Sequence, residues 1–357
     1  MIIDVIKVFI PSTISFIVGI LLTPLLTYYL YKYKLWKKKA GKISPDGLIT
    51  KIFNSLHKEK EVGTPRMGGI IIWASAIITT LGIWFISQVF PTDLTTKLDF
   101  TSRSQTWLPL TTLLLGALVG LIDDILEVTA TEEKPSGGLS LRKRLVIVGL
   151  IGLLCALWFY FKLGVTTIGL PFAGDLFVGW LFIPIFVLVT MAIYSGGVID
   201  GLDGLSGGVF GTIFSAYGLI AFAQHQINLA AFCAVVVGGI LAFLWFNIPP
   251  ARFYMSETGS MGLTITLAVV AFLTDSLGGG YGVLILPIIA LPLVIASGSV
   301  IIQLLSKKFR HGKKVFLVAP IHHHFEALGW PSYKVTMRFW IISVVCAILG
   351  VTLAIIG

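Results

Sequence analysis

The chain alternates long apolar runs with short polar links. Ten stretches are mostly apolar over about 20 residues, the length a helix needs to cross a bilayer. They fall at 5–31, 68–90, 106–126, 142–162, 175–194, 204–223, 227–247, 259–275, 281–305 and 335–356. Backbone groups in lipid must bond within the membrane, and runs of this length predict helices rather than barrel strands. The first run, Val5 to Leu30, is too long for a signal-peptide core and no small-residue cleavage site follows it, so it is expected to remain as the first helix. Segment 259–275 is the shortest and follows a polar loop. With no internal repeat or low-complexity tract, the expectation is an all-α polytopic membrane protein, one integral-membrane domain over 1–357.

Basic residues set the orientation. Ten lysines and arginines lie between Lys32 and Arg66, Arg142 to Arg144 follow the third run, and Lys307, Lys308, Arg310, Lys313, Lys314 and Lys334 lie between the ninth and tenth. The alternate links hold only Lys97 and Arg103, then Lys162, then nothing basic in 224–226 or 276–280. The positive-inside rule puts the basic links in the cytoplasm and both termini outside.

Composition agrees. Of 357 residues, 56% are hydrophobic and 12% charged, about half the charge density of a soluble domain. The net charge of +9 is mostly the topology signal plus attraction to anionic headgroups. Its spread over separate loops argues against nucleic acid as a partner. Cys155, Cys233 and Cys346 sit in apolar runs at no metal-ligand spacing.

Against so few charges, the carboxylates stand out. Asp123 and Asp124 close the third helix, Asp200 and Asp203 follow the fifth, and Glu257 follows the seventh, all on the face assigned to the cytoplasm. A single helix-end acid is usually just solvated. Five from three segments would repel one another without cations, and ionisable groups near membrane depth tend to mark function. Mg²⁺ with a phosphorylated substrate resolves the repulsion, because Mg²⁺ takes one or two carboxylates plus phosphate oxygens. The same face carries His57, Lys58, Lys60 and Arg66 around Gly-Thr-Pro-Arg-Met-Gly-Gly (63–69), and His322, His323 and His324 within Ala-Pro-Ile-His-His-His-Phe-Glu (319–326). The histidines suit metal ligation or hydrogen bonding to a diphosphate equally. Together these groups point to phosphoryl transfer, which runs on positioning and charge neutralisation. The donor is expected to be soluble and nucleotide-activated, the acceptor a lipid.

These motifs, with Gly-Leu-Ile-Asp-Asp (120–124), Gly-Leu-Ser-Leu-Arg (138–142), Asp-Gly-Leu-Asp-Gly-Leu (200–205) and Phe-Asn-Ile-Pro-Pro-Ala (246–251), occur in an order that resembles the phospho-N-acetylmuramoyl-pentapeptide-transferase family of the polyprenyl-phosphate N-acetylhexosamine-1-phosphate transferase superfamily. The triple-histidine block is the most specific of them. The resemblance covers nearly the whole chain and implies transfer of phospho-MurNAc-pentapeptide from UDP-MurNAc-pentapeptide to undecaprenyl phosphate in a bacterial inner membrane. It implies Mg²⁺ as cofactor, membrane lipid as surroundings, and leaves room for a homodimer. It assigns Asp123 and Asp124 to the catalytic pair and Glu257 to the position of a metal-binding aspartate, so that Asp123, Asp124 and Glu257 form the expected metal set. It assigns Lys60, Thr64, Asp200, Asp203, Asn247, His322, His323 and His324 to substrate binding.

The sequence also departs from the family pattern. Glu257 stands where aspartate is usual, Tyr194 and Gly197 where asparagines are usual, and Glu127 where a lysine is usual. Lys60 sits one residue further from Gly63 than expected, with Glu61 in the expected lysine place. Two other readings stay open: a related GlcNAc-1-phosphate transferase, and a transporter or catalytically impaired scaffold. Acids at helix ends rather than at the midplane of paired repeats weigh against transport.

Overall fold

The computed structural model describes residues 2–38, 62–130, 137–277, 279 and 281–357. Among them are ten helices long and apolar enough to cross a membrane. They are α1 (Ile2–Lys32), α2 (Ile70–Val89), α3 (Leu108–Val128), α4 (Leu141–Lys162), α5 (Phe182–Ser195, extended by short 3-10 turns to a span of Gly179–Ile199), α6 (Leu205–Ala223), α7 (Ile227–Asn247), α8 (Ser256–Ser276), α9 (Leu291–Phe309) and α10 (Ser332–Ile356). All ten expected runs became helices.

Three boundaries moved for physical reasons. Residues 175–178, expected to open the fifth helix, belong instead to a hairpin: β1 (Thr167–Leu170) pairs antiparallel with β2 (Gly174–Phe177). Phe172 and Gly174 turn the chain at positive φ. The span 281–305 is split into a turn at Leu286–Ile289 and then α9, with Pro287 and Pro292 each opening a helix, since proline fits a first turn but not an interior. The weak segment 259–275 became α8, whose residues from Thr258 to Asp275 are all buried. Its modest hydropathy now has a cause. A helix enclosed by protein needs small and hydroxyl side chains for close packing more than it needs lipid-soluble ones.

Glycines bring the helices together. A Cβ at Gly116 would lie 2.9 Å from the Cα of Gly262, and one at Gly120 would collide with the Glu257 carbonyl. These two positions let α3 lie against α8 with their backbones in contact. Similarly, Gly19 of α1 admits Ala242 of α7, and Ser12 Oγ donates to Ala234 O at 2.7 Å. Elsewhere the core is aromatic, with Phe186 stacked on Phe272 at 4.2 Å.

The two ends of the bundle differ. At one, Lys7 of α1 lies within electrostatic reach of Asp99, and the Tyr281 hydroxyl donates to the Gly357 carbonyl. Asp275 accepts from Gly169 N (2.9 Å) and Val283 N (3.2 Å), fastening the hairpin to α8. Asp275 closes α8, whereas Glu257 opens it beside Asp123, Asp124 and Asp200, so the site acids lie at the opposite end of that helix.

Candidate active site

The site is built around the first turn of α8. A helix N-terminus leaves its first backbone N–H groups without intrahelical partners, and here acids from other segments take them. Ser256 N donates to Asp200 Oδ2 at 2.8 Å, and Thr258 N donates to Asp124 Oδ2 at 2.9 Å, reinforced by Thr258 Oγ1 at 2.6 Å. Negative charge is also favourable at the positive end of the helix dipole. Glu257, between these two residues, pairs with Arg144 of α4. Three consecutive residues thus tie the end of α3, the start of α4 and the loop after α5 to one point.

Two arginines balance the acids. Arg144 Nη1 lies 3.6 Å from Asp123 Oδ2 as well as against Glu257 Oε1. Asp123 also accepts from Leu139 N, so the loop before α4 folds back over the end of α3. Arg66 Nε is 3.5 Å from Asp124 Oδ1 and its Nη1 is 2.9 Å from Glu127 Oε1. Lys37 Nζ, just past α1, reaches the same Glu127 oxygen at 3.1 Å. Burial works against the charge on Arg66, but Glu127, Asp124, Asp200 and Glu257 outweigh it and hold its pKa above the ordinary arginine value. Arg66 is delivered by a backbone clasp. Tyr254 N donates to Pro65 O (2.9 Å), and Gly68 N donates to Tyr254 O (2.8 Å).

The histidines adjoin Asp200 through its neighbour. A Cβ on Gly201 would stand 2.7 Å from His323 Nε2 and 2.5 Å from His322 Nε2, so only glycine lets the two rings approach this loop. Both rings are buried. They sit on a short helix, Ile321–Ala327. His323 Nδ1 bonds Glu326 Oε2 at 2.7 Å, and Glu326 Oε1 accepts from Ser332 Oγ at 2.6 Å. This fixes the ring and leaves Nε2 facing Gly201. His324 turns elsewhere: its Nδ1 accepts from Leu317 N at 3.2 Å, and its ring lies against Phe316.

The remaining expected residues take varied places. Asp203 Oδ2 accepts from Ala251 N (3.2 Å), and Asn247 bridges Gly204 N (2.9 Å) and Phe253 O (2.8 Å). Together they lock the Asp200–Gly204 loop onto the end of α7. Thr64 is half-buried in the segment leading to Arg66. Lys60, with His57 and Lys58, lies outside the described residues. Sequence reasoning read Arg144 only as a topology signal and missed Thr258, Glu326 and Ser206, which donates to Asp200 Oδ1 at 2.7 Å. A basic residue opening a helix, against the dipole preference, was the available signal for Arg144.

Among the described residues, no three histidine, cysteine, aspartate or glutamate side chains converge as a ready-made metal cage. Two carboxylates, Asp123 and Glu257, do face one cationic nitrogen. That arrangement fits an ion such as Mg²⁺, which completes its shell with water and substrate phosphate, and Arg144 is the stand-in cation.

Comparison with known proteins agrees with this geometry. The model of glycosyl transferase family 4 matches residues 106–275, which run from α3 to the end of α8. The chain is 34% identical over 345 residues to the phospho-N-acetylmuramoyl-pentapeptide-transferase of Listeria innocua, covering 96% of each chain. It is 33% identical over 366 residues to the enzyme of that name from Chloroflexus aggregans, covering 99% of this chain and 91% of the other. The chain belongs to the phospho-N-acetylmuramoyl-pentapeptide-transferase family.

Glu127 takes its positive partners from Arg66 and Lys37. Tyr194 is buried within electrostatic reach of Arg144, Glu257 and Asp123. Positions 127, 194 and 257 thus all border the two arginine-centred groups.

Proposed function

We propose that the chain transfers phospho-MurNAc-pentapeptide from UDP-MurNAc-pentapeptide to undecaprenyl phosphate, forming lipid I and releasing UMP, at the cytoplasmic face of the bacterial inner membrane. The observation that carries this reading is the meeting of Asp123, Asp124, Asp200 and Glu257 with Arg66 and Arg144 around one helix N-terminus, in a chain similar to such transferases over nearly its whole length. The basic links flanking this end of the bundle favour its cytoplasmic placement.

Asp123 and Glu257 are the residues that would hold Mg²⁺, with Asp124 beside them. When bound, the ion supplies charge neutralisation at the diphosphate. Asp123 and Asp124 share the tasks of holding the ion and taking a proton from the acceptor phosphate, Asp123 fixed by Leu139 N and Arg144 and Asp124 by Thr258 and Arg66. Arg66 stands where it can steady the donor's phosphates. His323, held by Glu326, presents Nε2 toward the Asp200 loop for a substrate oxygen. The prenyl tail would lie among the apolar helices.

The test is a donor panel on detergent-purified protein with undecaprenyl phosphate and Mg²⁺, reading UMP release and lipid product. UDP-MurNAc-pentapeptide is expected to be used and UDP-GlcNAc refused. Preference for UDP-GlcNAc would move the chain to the related GlcNAc-1-phosphate activity, and no UMP from either would leave a scaffold.

A further inference from the structure

Arg144 occupies the point that Asp123 and Glu257 share, and it does so under unfavourable conditions. It belongs to a run of three cations, Arg142 to Arg144, in the opening turns of α4, where the helix dipole disfavours positive charge. The helix start has no side-chain cap to offset this, since Ser140 makes no capping bond. Arg144 Nε is closed off from solvent with no hydrogen-bond partner, so the guanidinium is held at this point through its Nη1 contacts alone. The side chains of Arg144 and Glu257 are each 23% exposed, so the pair is reachable from solution.

We propose that Arg144 is an exchangeable counter-cation: it holds Asp123 and Glu257 together until a divalent ion takes that place, and it then turns to the phosphates that accompany the ion. This inference rests on the reaction proposed above. A guanidinium stays protonated at any accessible pH, so Arg144 does not vacate the carboxylates by titration. It leaves when a competing cation takes the carboxylates, and the substrate phosphates, when present, then receive it. Mg²⁺ prefers the oxygens that Arg144 now contacts, and the planar guanidinium fork matches phosphate oxygens once released. The exchange makes and breaks no covalent bond. Charge stays balanced, because the dication arrives beside two carboxylates and the displaced monocation meets the diphosphate. Asp123 stays held by Leu139 N when Arg144 leaves, and the attraction of Glu127 and Tyr194 keeps the displaced guanidinium beside the site.

The experiment uses Mn²⁺ as probe on the full-length protein in detergent without substrates, measuring bound ion by loss of the free-ion electron paramagnetic resonance signal. R144Q is expected to bind Mn²⁺ about fivefold more tightly or better than wild type, since the competing ion pair is gone, whereas R144K stays near wild type. Equal or weaker binding by folded R144Q overturns the counter-cation. Wild type supplies a second readout that needs no variant. Phenylglyoxal labelling of Arg144, followed by peptide mass spectrometry, is expected to speed up when Mn²⁺ is added, and an unchanged rate overturns the exchange. Absence of Mn²⁺ binding in all three proteins would also remove the metal role proposed for Asp123 and Glu257, whereas tight binding that ignores Arg144 leaves that role intact.

Discussion

Arg66 and Glu127 meet at 2.9 Å, joining the segment before α2 to the last turn of α3. Glu127 makes this corner acidic, and the balancing cations come from neighbouring segments. Arg66 is kept charged by the acids around it, and Lys37 completes the group. E127K would place three cations together. We expect it to lower UMP release by at least about tenfold and to destabilise the protein by ~1–2 kcal/mol. E127K combined with R66Q should recover part of the stability but not the activity, since Arg66 also serves the donor's phosphates, and a strictly additive stability change would show that the two positions are independent.

Asp124 tests the capping role of the site acids. It is fully buried and takes two hydrogen bonds from Thr258. T258V keeps the shape and the backbone donor but removes the hydroxyl. A hydrogen bond to a charged group is worth ~1.5–3 kcal/mol, and a loss of stability of that order is expected, seen as a lowered melting temperature in detergent thermal-shift measurements. T258S should restore it.

The histidine helix yields a contrast between adjacent residues. His323 is oriented by Glu326 and faces Gly201, whereas His324 serves the 313–318 loop. Loss of an orienting partner typically costs about 10–100-fold in activity, so E326A should lower kcat on that scale, as should H323A. H324A should cost much less. Equal losses at 323 and 324 would show that both rings meet the substrate.

Much of this was legible in the sequence because lipid is a demanding solvent. Long apolar runs have few alternatives to helix, so all ten spans could be read. The carboxylates were legible for a related reason, since acids at the ends of apolar helices are costly without a purpose. The partners were not. Whether Arg144 meets Glu257 across 113 residues, or Thr258 meets Asp124 across 134, depends on where Gly116, Gly120 and Gly262 let α3 and α8 touch. The hairpin was hidden because Gly-Asp-Leu-Phe (174–177) runs into the apolar start of α5 with no polar break.

A distal control follows from Asp275. Its carboxylate ties Gly169 and Val283 at the end of the bundle away from the site acids. D275N replaces one acceptor oxygen with a donor group facing an N–H, at a cost of ~1–3 kcal/mol in stability. The kcat and Mg²⁺ dependence of the folded fraction should be unchanged, because no site residue moves.

Metal dependence and the length of residue 257 can be examined together. Chelation should abolish UMP release and Mg²⁺ should restore it, with D123N and E257Q remaining inactive at any Mg²⁺ concentration. E257D is more informative, because it keeps the charge while drawing the carboxylate back by about 1.5 Å from a site proposed to need tight octahedral geometry. If the neighbouring substitutions compensate for the longer side chain, aspartate no longer reaches the point that Arg144 marks. E257D should then raise the Mg²⁺ concentration for half-maximal activity by about tenfold, with kcat at saturating Mg²⁺ falling less. Improved activity in E257D would mean that Glu257 impairs the enzyme and that the surrounding changes at 127 and 194 do not accommodate it.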